Sequence, residues 1–362
     1  MMVYLTIMTP SVAASDPSRP EPKTGDGSAV EVASGVLWLR MPLFDALPWI
    51  NVWAIADGEG WAIVDTGLRS AATMQAWQAA FSTSLIGKPV TRIIATHMHP
   101  DHCGMAGWLA ERFNVRLWMS QLEYLSCRLM AADTGHKAPL EGVEFYRSAG
   151  WDGLALEAYR ERFGAFGEAI YPLPAAYRRL SDGETLRIGA HDWTVVMGNG
   201  HSPEHACLHC PSLEVLISGD QVLPRISSNV SVYPTEPDAN PLEGWLTSLE
   251  RIKPRVPDRV LVLPAHNSPF RGLHERIDQL IGGHRRALAK LEARLAAPAR
   301  AIDVFDCLFS RPIRPELLFM ATGESVAHLN YLTAAGKATR ARDAQGVWWW
   351  KLLDLKEGAN LE

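Results

Sequence analysis

A layered α/β fold is predicted by two features of the chain. Short apolar runs of strand character alternate with segments of helical spacing between residues 36 and 119, and strand-like runs resume after residue 190 ahead of one long helix. A third feature, the stretch 121–180, stands apart from that alternation. It is rich in Tyr, Phe, Arg and Leu, broken by Gly150, Gly153, Gly164 and Gly167, and predicts a helical insertion. At 362 residues the chain has room for one large domain and a small one.

The elements follow in order. Residues 1–29 read as a disordered arm, because 10–28 are dense in Pro, Ser, Gly and charge. Order is expected from Val30. Strands are predicted over 36–40, 50–56 and 61–65, with Asp57-Gly58-Glu59-Gly60 as the hairpin turn between the last two. A helix is predicted over 71–81, a short apolar strand over 92–96, a helix over 104–113 and a strand over 115–119. After the insertion come strands at 193–197, 215–218 and 259–263 and a helix over 273–296. Pro298 ends that pattern. A helix over 325–335, Gly336 and the β-rich Val347-Trp348-Trp349-Trp350 then outline a small winged-helix-like module over 298–362.

Composition narrows the function. A net charge of -5 gives no global basic field toward nucleic acid or anionic membranes. No run approaches the roughly 20 apolar residues that span a bilayer. The apolar N-terminal run lacks a positive flank, so a signal peptide is not expected. Five cysteines, an odd and sparse count, do not read as a disulfide framework, and a cytoplasmic location is expected.

The strongest chemical signal is Thr96-His97-Met98-His99-Pro100-Asp101-His102, directly after the strand at 92–96. Three crowded histidines repel one another when charged and are costly to bury unpaired when neutral. A divalent cation resolves both, since neutral imidazole is a metal ligand. On extended chain, residues two apart point the same way, so His97 and His99 converge on one ion. Asp101 and His102, where the chain turns into helix, are better placed for a second. Histidine and carboxylate without thiolate suit Zn²⁺, with Mn²⁺ and Fe²⁺ as the other cations such a set accepts.

This string resembles the signature of the metallo-β-lactamase superfamily, and further motifs follow in the expected order. Asp65 in Val64-Asp65-Thr66-Gly67, His201 in Gly200-His201-Ser202-Pro203-Glu204-His205, Asp220 in Ser218-Gly219-Asp220 and His266 in Pro264-Ala265-His266-Asn267 complete the set. The resemblance covers roughly residues 30–295. It implies an αββα sandwich over 30–297 with two zinc ions at one edge. His97, His99 and His201 would hold one ion, Asp101, His102 and His266 the other, and Asp220 would bridge them. Asp65 would support a ligand histidine from behind. Asp101 and His205 are the catalytic candidates: Asp101 to orient a water, His205 to hydrogen-bond substrate or a tetrahedral oxyanion. The flavodiiron branch of this fold carries an acid where His99 stands, so hydrolysis is expected rather than redox chemistry.

The resemblance implies that a metal-bound hydroxide attacks an acyl carbon or a phosphorus. The apolar loop 41–49, with Phe44 and Trp49, and the 121–180 insertion as a lid are expected to shape an apolar pocket. Otherwise both would be core or the face of a homodimer. A small ester, thioester or lactone is therefore the expected substrate, with β-lactam opening as a promiscuous side activity. The tail is similar to that of the β-lactamase-like protein 2 and glyoxalase II-like branch, which includes endoribonucleases. Seven basic residues against four acids over 311–356 make a modest footprint for nucleic acid, and no further nuclease motif accompanies it. Cys207-Leu208-His209-Cys210 is a lone C-x-x-C on a strand and reads as structural.

Overall fold

A computed structural model describes residues 20–43 and 47–353. One sheet runs in sequential order through β1 (Val30–Ala33), β2 (Val36–Pro42), β3 (Trp49–Asp57), β4 (Gly60–Val64), β5 (Val90–Ile94), β6 (Leu117–Ser120) and β7 (Tyr177–Leu180). It is antiparallel up to β4 and parallel from β4 to β7. The second sheet holds β8 (Thr185–Ile188), β9 (His191–Gly198), β10 (His205–Cys210), β11 (Val215–Gly219) and β12 (Leu261–Pro264), with only β11 and β12 parallel. The helices are α1 (Ala71–Ser82), α2 (Pro100–Cys103), α3 (Ala106–Phe113), α4 (Gln121–Ala132), α5 (Leu140–Ser148), α6 (Gly153–Arg162), α7 (Pro241–Arg255), α8 (Leu273–Arg294), α9 (Phe305–Leu308) and α10 (Leu318–Ala334). A hairpin of β13 (Ala338–Arg342) and β14 (Trp348–Leu352) follows.

Strand periodicity builds the layers. On β2, Val36 and Trp38 point between the sheets, while Leu39 and Met41 point outward to α1. Trp53, Ile94, Trp193, Val195, Leu208 and Ile217 fill the space between the sheets. The outer face of the first sheet is covered by α1 and α3 through Trp77 and Leu109. The outer face of the second is covered by α7, α8 and α10 through Trp245, Leu280 and Leu329. The result is the expected helix–sheet–sheet–helix sandwich. Each fully buried Leu, Ile or Val contributes about 1.5–3 kcal/mol. Helix starts are locally encoded: Ser70 Oγ accepts from the Thr73 N–H at 3.0 Å, and Asn240 caps α7 with Pro241 in its first position.

Four expectations are corrected. Residues 20–29, expected to belong to a disordered arm, pack on the domain. Glu21 pairs with Arg40 at 2.7 Å, and the Gly27 carbonyl accepts from Thr83 and Ser84. Gly27 holds φ +81, and a Cβ there would meet the Ala79 carbonyl carbon at 2.5 Å, so a glycine that composition counts toward disorder is a packing requirement. The insertion ends before residue 177, because Tyr177–Leu180 pairs in parallel with β6. The helix α7 has no counterpart among the expected elements, although Asn240-Pro241 announces it. Finally, the helix expected over 325–335 begins at Leu318: α10 is buried on nearly every side, its Val326, Leu329 and Leu332 sharing one core with α7 and α8, so the C-terminal module packs into the main core. A helix apolar all round belongs inside. The β13–β14 hairpin is tied back by paired bonds between Ala299 and Trp350.

Candidate metal centre

The motif residues stand just past the C-terminal ends of strands from both sheets: Asp65 after β4, His97 to His102 after β5, His201 after β9, Asp220 after β11 and His266 after β12. The Ala206 N–H donates to the Thr96 carbonyl, and the Asn51 N–H to the Ala265 carbonyl, both at 2.8 Å, which locks the two sheets together at this edge. Pro100, in the first position of α2, turns the chain sharply after His99. His97 and His99 are thereby separated in direction from Asp101 and His102.

Three groups of side chains converge so that one ligand atom from each lies within 4.8 Å of the others: His97, His99 and His201; His97, His102 and Asp220; and Asp101, His102 and His266. His97 Nε2 is 2.8 Å from His99 Nδ1. Asp220 lies between the groups, Oδ2 at 3.4 Å from His201 Nε2 and Oδ1 at 3.5 Å from both His102 Nε2 and His266 Nε2. Asp101 Oδ2 is 3.4 Å from His266 Nε2. Asp65 stands behind the cluster at φ +59. It accepts from the Thr96 N–H at 2.8 Å and hydroxyl at 2.9 Å, and its Oδ2 is 2.8 Å from His102 Nδ1.

The electrostatics suit a cation. Burial, reinforced by the neighbouring imidazoles, holds His97 well below its ordinary pKa and brings His99 down to about 3. Both are therefore neutral, as ligands must be. His102 behaves oppositely: burial opposes its charge, but Asp220, Asp65 and Asp101 together raise it well above the ordinary value. Three carboxylates in a buried pocket call for positive charge. Both oxygens of Asp101, His102 Nε2 and His201 Nε2 are buried with no hydrogen bond. Each such group costs about 1–3 kcal/mol unless something coordinates it. A divalent cation fits this donor set.

Residues 50–266 match the family described as the metallo-beta-lactamase superfamily, and residues 288–353 match the metallo-beta-lactamase-like C-terminal domain. The chain belongs to the metallo-beta-lactamase superfamily. A solved beta-lactamase domain protein from Burkholderia ambifaria is 41% identical, covering 93% of this chain and 97% of its own, with a TM-score of 0.85. A metallo-beta-lactamase family protein from Thermus thermophilus shares the fold at a TM-score of 0.75, with 24% identity over 89% of this chain and all of its own. Among curated relatives, the acyl-coenzyme A thioesterase MBLAC2 of Gallus gallus is 24% identical, covering 66% of this chain and 80% of the relative. The chain is thus a metal-dependent hydrolase by family. Among the described residues no helix is long and apolar enough to cross a membrane.

Within this superfamily frame, two expected site residues are reassigned. His205 is fully buried, and its Nε2 accepts from the Asp220 N–H at 3.0 Å while Nδ1 faces Cys207. It is not on the wall of the cavity beside the cluster, and it holds the Asp220 backbone. Gly219 makes room for it, since a Cβ there would come within 2.6 Å of the His205 ring. Trp49 is not on the wall of the cavity beside the cluster but stacks under the Arg40 guanidinium at 4.3 Å, opposite Pro42 at the start of β3. Phe44 lies outside the described residues. Cys207 and Cys210 are buried within β10, as their strand position suggested.

Glu123 on α4 is a functional residue that the sequence alone does not reveal. It is buried, accepting from the Met98 N–H at 2.9 Å and the Glu204 N–H at 2.8 Å, and so ties the insertion to both metal loops. Its only signal is one acid in an otherwise ordinary amphipathic helix. A cavity of about 1420 Å³ opens beside the cluster, with His99, Asp101 and His201 on its wall. Leu47, Leu129, Met130, Trp151, Phe163 and Phe319 supply much of the rest, from just ahead of β3, the insertion and the first turn of α10.

Proposed function

We propose that the chain hydrolyses a thioester or ester with an apolar acyl group, using two zinc ions held by His97, His99 and His201 and by Asp101, His102 and His266, with Asp220 between them. The observation that carries this reading is the large apolar cavity whose wall includes His99, Asp101 and His201. Such walls solvate a hydrocarbon chain and give nothing to a polyphosphate. The acyl-coenzyme A thioesterase name of the Gallus gallus relative supports the thioester linkage, though not an uncharged leaving group. Ions held there would supply Lewis acidity and would lower the pKa of a bound water toward neutrality. Asp101, on the cavity wall with buried acceptor oxygens, would orient a water beside the cluster by accepting a hydrogen bond from it. Asp65 fixes His102 by accepting from its Nδ1, which leaves Nε2 to the cluster.

The leaving group is proposed to be neutral or weakly charged. Among the described residues, four carboxylates lie on the cavity wall besides the cluster, those of Asp133, Glu141, Asp152 and Glu236, against one guanidinium, that of Arg162. A polyanionic thiol meets repulsion there. A lactone fits the same chemistry. A compact β-lactam would leave most of the cavity unfilled, so its turnover is expected to be weak. The nuclease alternative loses its footing: Lys337, Arg340 and Arg342 pair with Glu292, Asp238 and Glu144, and α10 is buried rather than offered to a groove.

Metal analysis of the purified protein, alongside acyl thioesters, p-nitrophenyl esters, lactones, nitrocefin and short RNA with and without chelator, tests this. About two zinc ions per chain and chelator-sensitive acyl hydrolysis are expected. Protein that takes up no zinc, or that cleaves RNA alone, would end the proposal.

A further inference from the structure

The segment joining Asp220 to α7 is stapled from below by the C-terminal helices. Arg276 of α8 donates to the Leu223 carbonyl at 2.6 Å and to the Ile226 carbonyl at 2.9 Å. Ser228 Oγ donates to the Asp220 carbonyl. The Val232 N–H donates to the Gly323 carbonyl at 3.0 Å, and a Cβ on Gly323 would lie 2.7 Å from Ser231 Oγ, so α10 approaches this segment as closely as glycine permits.

One line of contacts runs from α10 to the metal cluster. Glu324 Oε2 accepts from Asn229 Nδ2 at 2.7 Å, and Ser231 Oγ donates to Asn229 Oδ1 at 2.6 Å. The Asn229 carbonyl lies 2.7 Å from His201 Nδ1. A carbonyl only accepts, so Nδ1 carries the proton and Nε2 is left bare toward Asp220. Packing alone does not explain a carboxyl in this place. Glu324 is fully buried, its Oε1 has no hydrogen bond, and an apolar residue of similar size would cost less.

We propose that Glu324, in the C-terminal helix, is a positioning residue for the metal centre: through Asn229 it fixes the carbonyl that sets the tautomer and direction of His201. The catalytic sandwich therefore depends on its tail for one of its metal subsites, a role separate from any contact with substrate. Burial pushes the Glu324 carboxyl up to about 8, so it stands as the neutral acid at pH 7 and glutamine is its close mimic. The inference rests on the reading that the cluster holds metal.

The test is stepwise binding of Co²⁺, read by its ligand-field absorbance, and of Zn²⁺ in competition with a chromophoric chelator, using chelator-stripped full chain. Glu324→Ala and Asn229→Ala should each weaken one equivalent by about 10–100-fold and leave the other unchanged. Glu324→Gln should bind both as wild type does, and the double alanine variant should be no weaker than either single one. Wild-type affinity for both equivalents in the two alanine variants, whatever happens to Tm, overturns the inference. So does a Glu324→Gln variant as weak as Glu324→Ala. If Glu324→Ala does not fold, Asn229→Ala and Glu324→Gln decide alone. Wild-type protein that binds no metal defeats the proposed function and this role with it, whereas wild-type protein that binds two equivalents alongside unchanged alanine variants defeats this role alone.

Discussion

The metal cluster and the cavity beside it share His99, Asp101 and His201, yet they are assembled in opposite ways. The cluster draws on short loops that each leave the end of a strand, so the sandwich places every ligand within a few residues of a rigid hydrogen-bonded ladder. The cavity draws on Leu43 and Leu47, the three helices of the insertion and residues from Ile313 to Phe319, which meet only through tertiary packing. Rigid strand ends set most of the cluster's geometry, and the covering elements brace its loops at a few points, Glu123 at Met98 and Glu204, and Glu324 at Asn229. A wall built from insertions can change its shape and charge while the cluster stays. Chemistry is thus set by the first region and substrate choice by the second.

The contrast breaks most visibly at Asp220, whose carboxylate faces His102, His201 and His266 at 3.4–3.5 Å. Asp220→Ala should lower kcat/KM by at least about a thousandfold, about 4 kcal/mol of barrier, for long and short acyl substrates alike. Metal content measured on the same sample should fall. A variant with full metal and selective loss on one substrate would show that Asp220 belongs to substrate choice. A smaller effect is expected from Asp65→Asn, which keeps shape but replaces an acceptor facing His102 Nδ1 with an amide. Zinc affinity should drop about 10–100-fold, measured by chelator competition, with Tm of the apo protein nearly unchanged.

The same division explains what can be read from sequence. The ligands are legible because a strand end followed by H-x-H-x-D-H is a local pattern, and the later motifs keep its order. Asp65 is legible through that order alone. Chain distance from His201 suggests a catalytic His205, but β10 begins at His205 and carries the ring into the sheet edge under Asp220. An apolar loop suggests a pocket role for Trp49, whereas strand pairing turns it to Arg40. Glu123, Asn229 and Glu324 leave no local trace, since each works on backbone or side chains 25 to 95 residues away. The tail illustrates the limit best: helix, turn and hairpin are legible in the right order, but only packing shows that α10 belongs to the main core.

The cavity half sharpens through Ala158, exposed on α6 and on the cavity wall. Ala158→Trp should raise KM for a long-chain thioester about tenfold by filling the space an acyl chain needs, and leave an acetyl thioester within about twofold. Tm should not move, because the site is solvent-facing. Equal effects on both substrates would mean that the acyl chain lies elsewhere.

The smallest expected effect concerns the charge of that wall. At low ionic strength a neutral thioester, such as an N-acetylcysteamine ester, should exceed the coenzyme A ester of the same acyl group in kcat/KM by about three- to tenfold, and the gap should narrow as salt screens the carboxylates. Glu141→Lys and Glu236→Lys reverse charge at two exposed positions on the wall. Each should shrink the preference, mainly through KM for the anionic ester, and leave the neutral ester nearly untouched. Should the coenzyme A ester be the better substrate in wild type, with a rate that falls on adding salt, the leaving group meets positive charge outside this wall. The acidic lining would then belong to the acyl side of the cavity, and the division between chemistry and selection would stand with its two ends exchanged.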